Sequence, residues 1–69
     1  MSQDVVNVGK AHAMRETDKA LRVQIEAEES PRWIPKSVIS DDSEVFNARD
    51  NADGDLVLKR WFAEKEGLG

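Results

Sequence analysis

Leu21-Arg22-Val23-Gln24-Ile25-Glu26-Ala27 is the stretch that decides the fold. Apolar and polar side chains alternate at every step, the period of a β-strand with one dry face and one wet face. A helix would scatter Leu21, Val23, Ile25 and Ala27 around its circumference. An antiparallel strand is therefore expected here. On its N-terminal side, Arg15-Glu16-Thr17-Asp18-Lys19 is polar and suits a turn. Before that, Val5-Val6-Asn7-Val8 reads as a strand that continues to Met14 if the chain bends at Gly9. A helix over Ala11 to Met14 is the competing reading, because Ala and Met favour helices.

On the C-terminal side, Glu28-Glu29-Ser30-Pro31 suits a turn, and Trp33-Ile34 a strand that pairs back as a hairpin. Pro35 has no N–H, so that strand must lie at an edge, bulge or end there. Ser40-Asp41-Asp42-Ser43 has turn chemistry, and Ser43 to Phe46 reads as a short strand or a helical turn. Ala48 to Asp55 is polar and ends in Asp53-Gly54, a pair that favours hairpin turns. Leu56-Val57-Leu58-Lys59 follows as a strand, and Trp61 to Glu66 is helical in composition with a stop at Gly67.

The expected class is mainly β. It is a small curved antiparallel sheet, or an SH3/OB-like barrel, of four or five short strands with a short C-terminal helix. Residues 5–69 form one domain after a disordered tail over residues 1–4. The core is expected from Val6, Val8, Leu21, Val23, Ile25, Trp33, Ile34, Val38, Phe46, Leu56, Leu58, Trp61 and Leu68.

A chain of 69 residues buries only about 60% of the surface it exposes when unfolded. Domains this small usually lean on disulfides, a metal or self-association. The sequence has no Cys, which removes the first and fits a reducing compartment. A homo-oligomer or a stable complex with another protein is the remaining support. No stretch approaches the roughly 18 apolar residues of a membrane span, and the first residues lack a basic leader; a cytoplasmic setting without membrane contact is expected. The net charge is −4, and the imbalance is local. Between Glu26 and Asp55 stand nine carboxylates and three cations (Arg32, Lys36 and Arg49). Such a surface repels phosphate backbones and attracts basic partners.

The pentapeptide Trp33-Ile34-Pro35-Lys36-Ser37 carries a resemblance. With Thr17-Asp18-Lys19-Ala20-Leu21 before it, Val38-Ile39 and the acidic Asp41-Asp42-Ser43-Glu44-Val45 after it, and the closing block Leu56 to Leu68, the chain resembles small bacteriophage and prophage proteins. The likeness spans residues 16 to 68, although the loop Asn47 to Gly54 is longer than theirs. It implies a phage origin, the cytoplasm of a bacterial host and a compact β-rich fold, and it supplies no catalytic residue or cofactor.

Residue chemistry gives no enzyme. His12 is the one histidine, with no Cys and no second His to share a metal or triad, and it reads as a solvent-facing or partly packed strand residue. Residues 49–60 imitate a calcium loop around Gly54, but Arg49 and Arg60 would occupy ligand positions; a hairpin turn is preferred. Asp41, Asp42 and Glu44 would need a pocket to separate their pKa values for acid–base work, and a solvated loop is the simpler reading. No catalytic, metal or cofactor residue is assigned.

Two functions remain. In the first, the chain binds a host or phage protein with a basic surface and inhibits a defence or nucleic-acid-binding machine, in the manner of an anti-CRISPR or DNA-mimic inhibitor. Its contact residues would be Asp41, Asp42, Glu44, Asp50, Asp53 and Asp55. In the second, it assists phage replication or recombination by holding single-stranded nucleic acid on Arg32, Trp33, Lys36, Arg60 and Trp61. That surface requires the strands around Trp33 and Trp61 to lie side by side.

Overall fold

The computed structural model describes residues 4–68. It contains strands β1 (Val5–Glu16), β2 (Ala20–Ile25), β3 (Arg32–Pro35) and β4 (Asp53–Lys59) and one helix, α1 (Arg60–Lys65), with a single 3-10 turn at Lys36–Val38. The strands form one open antiparallel sheet in the order β3-β2-β1-β4. The tail expected over residues 1–4 falls outside the described residues except for Asp4, whose carbonyl accepts the Arg60 N–H at 2.8 Å.

β1 runs unbroken through Ala11 to Met14, so the strand reading holds and the helix does not form. The bend is at Gly9, with φ +98°, where the pairing with β4 shifts register between Asn7 and Lys10. The Asn7 side-chain oxygen accepts the Gly9 N–H at 2.8 Å and fixes the kink. A second irregularity lies between Ala13 and Arg15: Ala13 opposes Val23 and Arg15 opposes Arg22 of β2, with Met14 as the extra residue between them. A bulge of this kind adds one residue to one strand and redirects its side chains. Arg15 and Glu16 prolong β1, which leaves the turn to residues 17–19. It closes through Thr17, whose N–H meets the Ala20 carbonyl at 2.8 Å and whose hydroxyl accepts the Ala20 N–H at 3.0 Å.

β2 alternates as its sequence demands. Leu21, Val23 and Ile25 are buried, while Ala20, Arg22 and Gln24 are half-buried on the opposite face. The strand ends at Ile25, and Ala27 lies exposed in the following turn. β3 is the edge strand beyond it and ends at Pro35.

The segment after the 3-10 turn is neither strand nor helical turn. It lies along the outer edge of β4, where Ile39 bridges to Leu58 and the N–H groups of Ser40 and Glu44 reach the Val57 and Asp55 carbonyls at 2.9 Å each. The buried Ser43 hydroxyl accepts the N–H groups of Val57 (3.1 Å) and Val45 (3.2 Å) and donates to the Val45 carbonyl at 2.8 Å. An edge that would otherwise expose unpaired backbone is thereby covered. The architecture is the curved-sheet alternative, with an irregular strap in place of a fifth strand.

Asp53-Gly54 is not the expected hairpin turn. Both residues belong to β4, with Asp53 opposite His12 and Gly54 opposite Ala11. Gly54 has φ +133°, and a Cβ there would stand 2.6 Å from Glu44 Oε1 and 2.8 Å from Glu44 Cβ. The glycine is required where the strap crosses the strand, not where the chain reverses.

Leu21, Val23, Ile34, Val45, Leu56 and Leu58 are the largest fully buried side chains. They form one cluster with Ala11, Ala13, Ile25, Val38, Ala52 and Phe62. Three aromatic residues expected in that core are outside it: Trp33, Phe46 and Trp61 are 46%, 47% and 55% exposed. In each case the adjacent residue (Ile34, Val45 or Phe62) faces inward instead, and extended or helical backbone does not let two neighbours share one face. Val8 and Leu68 are half-buried and pack against the cluster, whereas Val6, also expected in the core, is half-buried and not part of it. α1 turns Phe62 and Ala63 toward the core. It ends as the sequence implies at Gly67, with Leu68 N–H on the Ala63 carbonyl (2.7 Å) and Gly67 N–H on that of Glu64 (3.2 Å), a Schellman closure.

Candidate functional site

The six carboxylates expected to bind a partner divide into two groups. Glu44, Asp53 and Asp55 are occupied within the fold. Glu44 Oε1 accepts the Asp55 N–H at 2.9 Å, Asp53 Oδ1 lies 2.6 Å from His12 Nδ1, and Asp55 Oδ2 accepts from Asn7 at 3.3 Å. The His12–Asp53 pair sits in the open, with side chains 58% and 77% exposed. Asp41, Asp42 and Asp50 are exposed, and among the described residues their carboxylates make no hydrogen bond or ion pair.

These three stand on turns that the chain itself rigidifies. Asp41 and Asp42 occupy the tip between Ser40 and Ser43. There the Ser43 N–H meets the Ser40 carbonyl (3.0 Å) and the Asp42 N–H meets the Ser40 hydroxyl (3.1 Å). Asp50 occupies a loop organised by the Asn47 side chain, whose oxygen accepts the N–H groups of Arg49 and Asn51 at 2.9 Å each. Short Ser and Asn side chains bonding nearby backbone are what make such turns stable. Phe46 lies in the strap between them and shares with Asp41 the lining of a shallow groove of about 290 Å³. Sequence reasoning missed Phe46 as a surface residue. The apolar Val45 beside it in an extended segment was the available signal.

Lys36 and Lys59 line a second groove of about 550 Å³ together with Asp41 and Asp42. Lys36 is engaged by Glu16, whose other oxygen accepts the Ala48 N–H at 3.2 Å. The ammonium of Lys36 and then the Ala48 N–H hold the Glu16 carboxyl below its ordinary range.

The two strands of the nucleic-acid alternative do not pair with each other, although Arg32 reaches Glu66 beyond α1 and Lys36 lines one groove with Lys59. β3 and β4 form opposite edges of the sheet, so the strands leading to Trp33 and Trp61 are not neighbours. Its three cations also face carboxylates. Arg32 pairs with Glu28 (2.7 Å) and Glu66 (3.2 Å), Lys36 with Glu16, and Arg60 with Asp4 (3.4 Å). Trp33 instead stacks under the Arg22 guanidinium, 5.9 Å from the ring centre, and Trp61 meets Phe62 edge-on at 5.9 Å. Residues 49–60, weighed as a calcium loop, are largely strand and helix start.

Among the described residues, no helix is long and apolar enough to cross a membrane. Comparison of the chain with family models, curated proteins and solved structures gives no match.

Proposed function

We propose that this chain is a non-catalytic binding domain that docks its strap and adjoining loop onto a basic surface of another protein. Asp41, Asp42 and Asp50 are the primary contacts, and Phe46 is the apolar anchor. The observation that carries this reading is the presentation of three unpartnered carboxylates on turns locked by Ser40 and Asn47. Preformed turns lower the ordering cost of binding. An exposed aromatic amid charges is the composition of an interface anchor. Glu44 and Asp55 are engaged by hydrogen bonds within the chain and Asp53 by the exposed His12, so the three add to the field more than to contact.

The phage-like features of the sequence point to a host partner in the bacterial cytoplasm, and a nucleic-acid-binding machine is the kind whose basic cleft fits spaced carboxylates. Occupying that cleft would inhibit such a machine. The pairing of Arg32, Lys36 and Arg60 with carboxylates favours this reading over single-stranded nucleic acid.

The test is affinity capture from a bacterial lysate with wild-type chain and with the Asp41→Lys, Asp42→Lys, Asp50→Lys triple variant, at about 0.05 and 0.5 M salt. A protein captured by the wild type should be lost by the variant and weakened by salt. Capture that survives both changes would remove the acidic turns as the contact surface.

A further inference from the structure

Val45 faces the core, so Phe46 beside it in the strap stands on the surface, 47% exposed. It shares a groove of about 290 Å³ with Lys36, Ile39, Ser40 and Asp41. The backbone beneath is fixed at both ends. Ile39 bridges to Leu58 and packs against the core cluster, and the Ser40 N–H meets the Val57 carbonyl. On the other side the Phe46 N–H meets the Asn51 carbonyl at 3.0 Å. The groove therefore offers two apolar side chains and two charges of opposite sign. Those charges differ in availability. The Lys36 ammonium is held by Glu16, whereas the Asp41 carboxylate is exposed and forms no ion pair among the described residues.

We infer, resting on the docking of the strap proposed above, that this groove seats the side chain of an arginine on the partner protein. A long cation complements every free group in it. The methylenes cover Ile39 and Phe46, and the charged head meets Asp41. An apolar side chain would desolvate Asp41 without pairing it. An anion would meet the carboxylate of Asp41 with Lys36 already engaged. Shape then favours arginine over lysine. A guanidinium is planar and weakly hydrated, and it gives two parallel N–H groups to a carboxylate while its face lies on an aromatic ring. A lysine ammonium is a compact, strongly hydrated charge that gains less from both. The volume lies at the lower limit of small-molecule clefts, roughly 300 Å³, and suits one side chain better than a larger ligand.

The adjoining groove lacks this selectivity. There Lys59 stands with Lys36, Asp41 and Asp42, and among the described residues Lys59 forms no ion pair. A cation entering on that side meets repulsion as well as attraction. Discrimination between arginine and lysine therefore rests on Phe46, and attraction on Asp41.

Backbone amide chemical shifts of the full chain, titrated at low salt with Nα-acetyl-arginine amide and with Nα-acetyl-lysine amide to about 50 mM, test this at the millimolar affinities that one side chain provides. The arginine amide should shift Ile39, Asp41 and Phe46 and bind at least about threefold more tightly than the lysine amide. Asp41→Asn should weaken both. Phe46→Leu keeps an apolar side chain and removes the ring, so it should erase the preference and leave the lysine affinity unchanged. Dispersed amide shifts in each variant check that the fold is kept. Equal affinities in the wild type overturn the arginine site, as does a preference that survives Phe46→Leu. Either result leaves the acidic turns as a contact surface, because the capture experiment asks only for a basic partner and reads that surface separately. Shifts centred on the groove at His12 and Asp53, or none with either amide, overturn the site as well.

Discussion

Gly54 shows how much one residue can carry. Its φ of +133° is costly for any side chain, and Glu44 fills the space a Cβ would need. Gly9 also has positive φ, +98°, but nothing lies within 4 Å of its missing Cβ. The two glycines therefore separate backbone strain from steric conflict. Gly9→Ala should cost about 1–3 kcal/mol from conformation alone. Gly54→Ala should cost more, since Glu44 must move and release the Asp55 N–H it accepts at 2.9 Å. Urea midpoints of the two variants measure the difference. A Gly54→Ala midpoint no lower than that of Gly9→Ala would mean that Glu44 yields without loss. The sequence could not have told these roles apart from a hairpin turn. Asp-Gly signals positive φ locally, whereas the strap that demands it comes from residues ten positions away.

The elements were legible where the pattern was local. β2 and β3 follow from alternation and from Pro35, and α1 from its composition and Gly67. The outward positions of Trp33 and Arg22 were also implicit, because Ile34, Leu21 and Val23 had already claimed the inner face. The strap was illegible, because its hydrogen bonds run to β4 and no periodicity marks them. The candidate site lies on that strap, so only its acidic composition was visible beforehand and not the division between committed and unpartnered carboxylates.

Glu16 is the clamp between such pieces. It joins the end of β1 to Lys36 of the 3-10 turn and to the backbone of Ala48. Lys36 first, then the Ala48 N–H, lowers its pKa from the ordinary 4.5. A carboxyl depressed on folding binds fewer protons in the native state than in the unfolded state. Its stabilisation is therefore complete above the unfolded value of 4.5 and fades as pH falls through the lower folded value. Glu16→Gln should be less stable than wild type at neutral pH, and the gap should close as the solution is acidified below 4.5. Urea unfolding at a series of pH values reads that convergence; parallel curves down to the lowest pH would show that the clamp does not titrate.

For the molecule as a whole, one cluster of small and branched side chains supplies the core, and both tryptophans stand outside it. A domain of this length has a total stability of roughly 3–10 kcal/mol at typical values per residue. Leu56 is fully buried in the strand that contacts both β1 and the strap. Leu56→Ala should cost about 2–5 kcal/mol, a large share of that total. Because a single cluster spans sheet, strap and helix, the loss should appear as one earlier transition by far-ultraviolet circular dichroism, with no separate phase for the strap. Tryptophan emission at dilute concentration should report the same event only weakly, since Trp33 and Trp61 are already 46% and 55% exposed in the folded chain. A large emission shift on unfolding at low concentration would place a tryptophan in the interior. A two-step dichroism curve would mean that the strap is a separable unit, and the rigid presentation of Asp41, Asp42 and Asp50 would lose its foundation.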